Sequence, residues 1–131
     1  MADMKEKGVT LLAGPIAVAL TATATTEVTL YTVPVGKRCI LDHIKLVCSN
    51  TPSSSTGAVS FGANGTETDF LGAQTMTNLI AEFDTVICAP IPAATPVKTK
   101  SYAAGTVIVS KITTQDADGA TSNAYIYGTL Y

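Results

Sequence analysis

Val, Ile, Thr and Tyr recur along this chain in short runs bounded by Gly, Pro, Asn, Asp and Ser. Those residue types favour pleated, half-buried surfaces, and their bounding residues favour turns. Leu, Glu, Lys and Arg, the long-chain helix formers, are sparse. Residues 16–20 read as a first strand. Residues 27–33 alternate, with Val28 and Leu30 on one face and Glu27, Thr29 and Tyr31 on the other. Pro34-Val35-Gly36 supplies a turn. In residues 37–49, Ile44, Leu46 and Cys48 point one way and His43 and Lys45 the other. Cys39-Ile40-Leu41 breaks that phase, which predicts a bulge near Asp42.

Residues 50–56 read as a flexible Thr/Ser loop. Residues 58–62 and 66–71 form a hairpin around Asn64-Gly65, a pair suited to a type I′ turn. Residues 72–80 are ambiguous, with a short helix over 74–80 among their readings. Residues 83–89 form another strand, and Pro90, Pro92 and Pro96 limit pairing beyond it. Residues 106–112 are apolar on both faces, as in a central strand. Asp116-Ala117-Asp118-Gly119 makes a turn, and residues 123–131 form the last strand. About eight regularly spaced strands predict an all-β fold, an antiparallel β-sandwich or barrel. At 131 residues the chain suits one domain. The expected division is an N-terminal arm over 1–14 and a single β domain over 15–131.

Only 14% of residues are charged, 47% are hydrophobic, and the net charge is −2. Disorder and a nucleic-acid footprint are both excluded by that balance. A mean hydropathy of +0.33 is high for an isolated soluble subunit. It calls for surface covered by copies of the chain or by a partner. Residues 9–20 are too short an apolar run to span a bilayer, and Gly14-Pro15 interrupts them. They have the length of a signal-peptide core, with Ala22-Thr23-Ala24 resembling a cleavage site. Asp3 and Glu6 beside Lys5 and Lys7 argue against that reading and favour an arm.

No catalytic set assembles. His43 is the one histidine, and Asp42 precedes it directly. Neighbours in a regular strand point to opposite faces, so Asp42 is not expected to orient His43. Glu67 with Asp69, and Asp116 with Asp118, read as local solvated charge. Asp116-x-Asp118-Gly119 lacks the remaining ligands of a calcium loop. Cys39, Cys48 and Cys88 read as buried thiols, with a Cys48–Cys88 bridge open if their strands adjoin. The expectation is a protein that is not an enzyme and uses no cofactor or metal. Tyr125, Tyr127 and Tyr131 share one face of the last strand, opposite Ile126 and Leu130. They form an interface or fill the core. With Met1, Met4, Val9, Leu11 and Leu12 of the arm, they are the candidate interface residues.

The segment Thr29-Leu30-Tyr31-Thr32-Val33-Pro34-Val35-Gly36-Lys37-Arg38, followed by Ile44-Lys45-Leu46-Val47-Cys48-Ser49-Asn50, carries a resemblance. Tyr102-Ala103-Ala104-Gly105-Thr106 and Tyr125-Ile126-Tyr127-Gly128 extend it. It resembles the small β-sandwich virion proteins of tailed bacteriophages, most of all capsid decoration (cement) proteins. Cys39 and Cys48 depart from that pattern. The resemblance implies a jelly-roll-like sandwich without catalytic residues, present on the capsid surface in many copies. It implies a homo-oligomer, with a trimer expected, bound to the major capsid protein of the same phage. Such a subunit is made in the host cytoplasm and binds neither nucleic acid nor membrane. The alternatives are a tail, neck or fibre module that binds a receptor or another virion protein, and a secreted adhesive or pilin-like domain.

Overall fold

Alternation of apolar and polar side chains builds nine strands among the described residues, which are 8–52, 54–90 and 100–131 of a computed structural model. They are β1 (Thr10–Ala19), β2 (Glu27–Thr32), β3 (Cys39–Cys48), β4 (Ala58–Ala63) and β5 (Thr66–Thr75). β6 (Thr85–Cys88), β7 (Lys100–Tyr102), β8 (Val107–Thr114) and β9 (Thr121–Leu130) follow. One sheet runs β1-β9-β3-β6, with β7 also on β3; the other runs β2-β8-β4-β5. Every pairing is antiparallel. The pairs nest: β1 with β9, β2 with β8, β3 with β6 and β7, β4 with β5. One long hairpin folded over itself produces this order, which is the jelly-roll form of the β-sandwich.

The core lies between the sheets. Leu30, Ile44, Leu46, Val59, Phe61, Leu79, Ile108, Ile112 and Ile126 are among its buried side chains. In β3, Cys39 and Leu41 face inward, then Ile44, Leu46 and Cys48 do. The change of parity falls at Asp42, where the register with β9 steps from Leu41↔Gly128 to His43↔Tyr127. The bulge expected there lets one strand bury both halves. Gly128 sits at that step. A Cβ there would stand 2.5 Å from the Ile40 carbonyl oxygen, so only glycine permits the approach. The expected central strand is β8, between β2 and β4, with Ile108, Val109 and Ser110 all buried.

Several local expectations are corrected. β1 begins at Thr10, ahead of Gly14-Pro15, because an edge strand absorbs proline as an irregularity. No helix forms over 74–80. β5 runs on to Thr75, opposite Ala58, and a single turn follows in which Leu79 N–H donates to Met76 O. The Asn64-Gly65 turn is not type I′. Gly65 has φ 94° but Asn64 has no positive φ, and its N–H is engaged by Val107 O at 2.9 Å. β6 starts at Thr85 because Phe83 adopts φ 73°, outside strand geometry. Pro92 and Pro96 lie outside the described residues. The 50–56 loop is stitched down: Asn50 Nδ2 donates to Gly119 O and Thr56 N–H to Asp116 Oδ1, each at 2.8 Å.

Candidate functional site

Residues directly opposite on neighbouring strands share a sheet face. Leu11 of β1, Tyr127 of β9 and His43 of β3 therefore form one row on the outside of the first sheet. Tyr125, Lys45 and Ile87 of β6 form the next. Asn123, Val47, Thr85 and Ala17 form a third. Ile126 and Ala124 point the other way and are fully buried. Of the two readings of Tyr125 and Tyr127, the outward one holds: both are half-buried on the open face. The His43 and Tyr127 rings stack at 4.6 Å with 10° between planes. The Lys45 ammonium lies 5.1 Å from the Tyr127 ring centre. Tyr127 is thus contacted by two side chains of β3.

His43 Nδ1 meets Asp42 Oδ2. Strand alternation alone had separated these side chains. The bulge at Asp42 places two residues opposite one and brings the carboxylate to the imidazole. The bulge was legible in the sequence, and its consequence for this pair was missed.

The other expected interface residues disperse. Val9 and Leu11 are each 50% exposed at the β1 edge. Leu12 packs against the core, since alternation turns it away from Leu11. Met1 and Met4 lie outside the described residues. Tyr131 stands apart from the other two tyrosines, pairing by backbone with Arg38. Its hydroxyl lies 3.1 Å from Ser101 Oγ. That hydrogen bond, and Arg38 beside it, hold the phenol below its ordinary value. Gly36, Lys37, Ala103 and Ala104 complete this cleft.

The carboxylate pairs do not act as pairs. Asp69 accepts from Tyr102 Oη at 2.9 Å and from Ala63 N–H at 3.1 Å, and Lys100 lies 3.4 Å away. Tyr102 belongs to the first sheet and Asp69 to the second, so this bond ties the two together. Burial, then the Asp69 hydrogen bond, push the Tyr102 phenol up. Glu67 instead accepts from Gly65 N–H at 3.3 Å. The Glu67 carboxyl raises that of Glu27, and Glu27 in turn lowers Glu67. Asp116 is buried among donors: the N–H groups of Thr56, Asp118 and Ala120, and the Thr56 hydroxyl. Burial pushes its carboxyl up, but these hydrogen bonds together outweigh burial and hold it below the ordinary value. Its oxygens face backbone amides, as in a turn. Among the described residues no cluster of three or more His, Cys, Asp or Glu is placed to hold a metal ion.

All three cysteines are free and buried. β3 and β6 do adjoin, yet Cys88 stands opposite Ile44, four positions from Cys48. Burial pushes the Cys39 thiol up to about 11 and the Cys88 thiol up to about 12.

One surface escaped the sequence reading. Ile80, Phe83 and Ile87 are 45%, 76% and 67% exposed around the turn before β6 and along it. Phe83 also has a left-handed backbone, rare for a bulky residue. Its N–H donates to Cys48 O at 2.9 Å and its carbonyl accepts from the Thr85 hydroxyl at 3.1 Å. The available signal was an aromatic between Glu82 and Asp84 in a turn.

No family model matches the chain, and no curated protein matches it in sequence. Its fold is similar to a chain of the solved structure titled "Cyanophage Pam1 capsid asymmetric unit". The match has a TM-score of 0.61 and 18% identity, over 94% of this chain and 84% of that one. At that identity the likeness establishes a shared sandwich fold.

Proposed function

We propose that this protein is a structural virion component of a tailed bacteriophage, a decoration subunit that binds the assembled capsid and stabilises it. The observation that carries the reading is the shared jelly-roll sandwich over 94% of the chain with a chain of a cyanophage capsid structure. The motifs of β2, β3 and β9 support it independently, as does an outward face bearing Tyr125, Tyr127 and Leu11. Aromatic side chains with polar tips suit a face that another protein covers. In this reading the subunit is a homotrimer on the capsid surface, bound to the major capsid protein. It acts without catalysis. A subunit that binds only the assembled lattice stabilises that lattice by mass action.

The test is mass photometry of the purified protein with and without an undecorated shell from the same source. Saturation of the shell at a fixed stoichiometry, with a higher melting temperature of the particle, is the expected result. An oligomer that leaves the shell bare would overturn decoration and favour attachment to the tail.

A further inference from the structure

The open face of the first sheet is basic in a chain whose net charge is −2. Its strands carry one carboxylate among the described residues, Asp42, and His43 engages it. Lys45 lies on the face over Tyr127, and Lys37 and Arg38 stand just before β3. The ion pairs among the described residues join His43 to Asp42 and Lys100 to Asp69. Within that set neither Lys37 nor Arg38 meets a carboxylate.

Arg38 extends the β3 ladder by one residue. Its N–H donates to Tyr131 O at 2.8 Å, and Tyr131 N–H donates to Arg38 O at 3.0 Å. Residues paired in this way put their side chains on one face. Cys39 and Leu41 point inward, so Arg38 points outward, and Tyr131 with it. Ser101 of β7, opposite Ile40, points outward as well. The three side chains converge: Arg38 Nε–H donates to Ser101 Oγ at 3.4 Å, and Tyr131 Oη lies 3.1 Å from the same atom. Beside them Gly36, Lys37, Ala103 and Ala104 enclose a cleft of about 380 Å³. Pockets for small ligands and single groups occupy about 300–1,000 Å³.

We propose that this cleft binds a side-chain carboxylate of a partner protein, held by the Arg38 guanidinium and the Tyr131 hydroxyl beside the Lys37 charge. With Nε–H on Ser101, the two Nη groups of Arg38 present a planar pair of donors that matches the two oxygens of a carboxylate. Ser101 accepts from Arg38 and keeps its own hydrogen for Tyr131, which leaves the phenol hydrogen to donate. The Ser101 bond, and Arg38 beside it, hold that phenol below its ordinary value and make it a stronger donor. The cleft closes one end of the face that bears Tyr125 and Tyr127, so one partner reaches both. The assignment rests on the proposed function, in which protein covers this face. A charge pair at its end fixes approach and register more than affinity.

The test uses the full chain, labelled with ¹⁵N and ¹³C, and needs no shell, so it fails separately from the proposed function. N-acetylglutamate α-amide, its neutral glutamine counterpart and inorganic phosphate are each titrated at pH 7 and constant ionic strength. Arg38 Nε–H, the Ala103 and Ala104 amides and the Tyr131 ring report by NMR. The carboxylate compound should move all of them along one saturating curve, with the neutral compound leaving them in place and phosphate binding more weakly. Arg38→Gln and Tyr131→Phe should each weaken that binding, Arg38→Gln at least about tenfold, as loss of a charged hydrogen-bond partner does. Arg38 is exposed, so the melt should stay that of the parent. Equal shifts with the neutral compound, tighter binding of phosphate, no saturation, or a curve indifferent to either substitution would each overturn the proposal.

Discussion

Asp116 makes one end of the sandwich depend on acid. Three backbone N–H groups and a hydroxyl converge on its buried carboxylate, joining the 50–56 loop to the turn before β9. Its carboxyl is lower in the folded chain than in the unfolded one. The stability it adds is therefore complete above the unfolded value, about 3.9, and is lost as pH falls through the folded value. Urea denaturation between pH 7 and pH 2 should show a steep acid limb that flattens in Asp116→Asn. Asp116→Ala leaves buried amides without an acceptor and should cost about 1–3 kcal/mol at pH 7. An acid limb identical in the parent and Asp116→Asn would remove Asp116 from this role. The sequence marked this position as a turn, which it is. That the turn buries its first aspartate depends on Thr56, sixty positions earlier, and no local pattern carries that.

At the scale of an element, β3 shows what one inserted residue does. The parity break after Leu41 was readable because five inward residues fit no single alternation: Cys39 and Leu41, then Ile44, Leu46 and Cys48. Removing Asp42 restores regular alternation and forces one of the two sets out of the core. Each buried Leu or Ile side chain contributes about 1.5–3 kcal/mol, against a total stability of about 5–15 kcal/mol. Deletion of Asp42 should therefore abolish the cooperative thermal melt, whereas Asp42→Ala, which keeps the residue count, should cost under about 1 kcal/mol. A deletion variant melting within a few degrees of the parent would contradict the bulge. Elements with strong alternation, β2, β3 and β9, were legible, and β8 was legible from its apolar residues on both faces. Those set by long-range partners were not. β1 takes its pairing through Gly14-Pro15 from β9, and the end of β5 takes its strand geometry from Ala58. Phe83 lost its strand conformation to backbone bonds with Cys48, which no spacing encodes.

The whole molecule combines a closed interior with one aromatic outer face, and each half predicts a behaviour. The interior resists base only while its thiols stay protonated. Cys39 and Cys88 are raised to about 11 and about 12, above an unfolded value near 8.5. Their contribution is complete below about pH 8.5 and is lost as pH rises towards the folded values. Urea midpoints under reducing conditions should fall between pH 7.5 and pH 10.5, and less so in Cys88→Ala; an equal fall would assign the alkaline limb elsewhere. The outer face predicts attachment. Tyr125 and Tyr127 are backed by the buried Ala124 and Ile126 on the same strand, so shortening them leaves the core intact. The double variant Tyr125→Ser, Tyr127→Ser should melt within a few degrees of the parent yet lower shell occupancy at least about tenfold, as loss of central aromatic anchors does. Val35→Ser is the matched control: Val35 is 94% exposed but sits at the β2–β3 turn, away from the sheet face. If Val35→Ser strips the shell and the tyrosine variant does not, the turn end of the sandwich meets the capsid and the aromatic face does not.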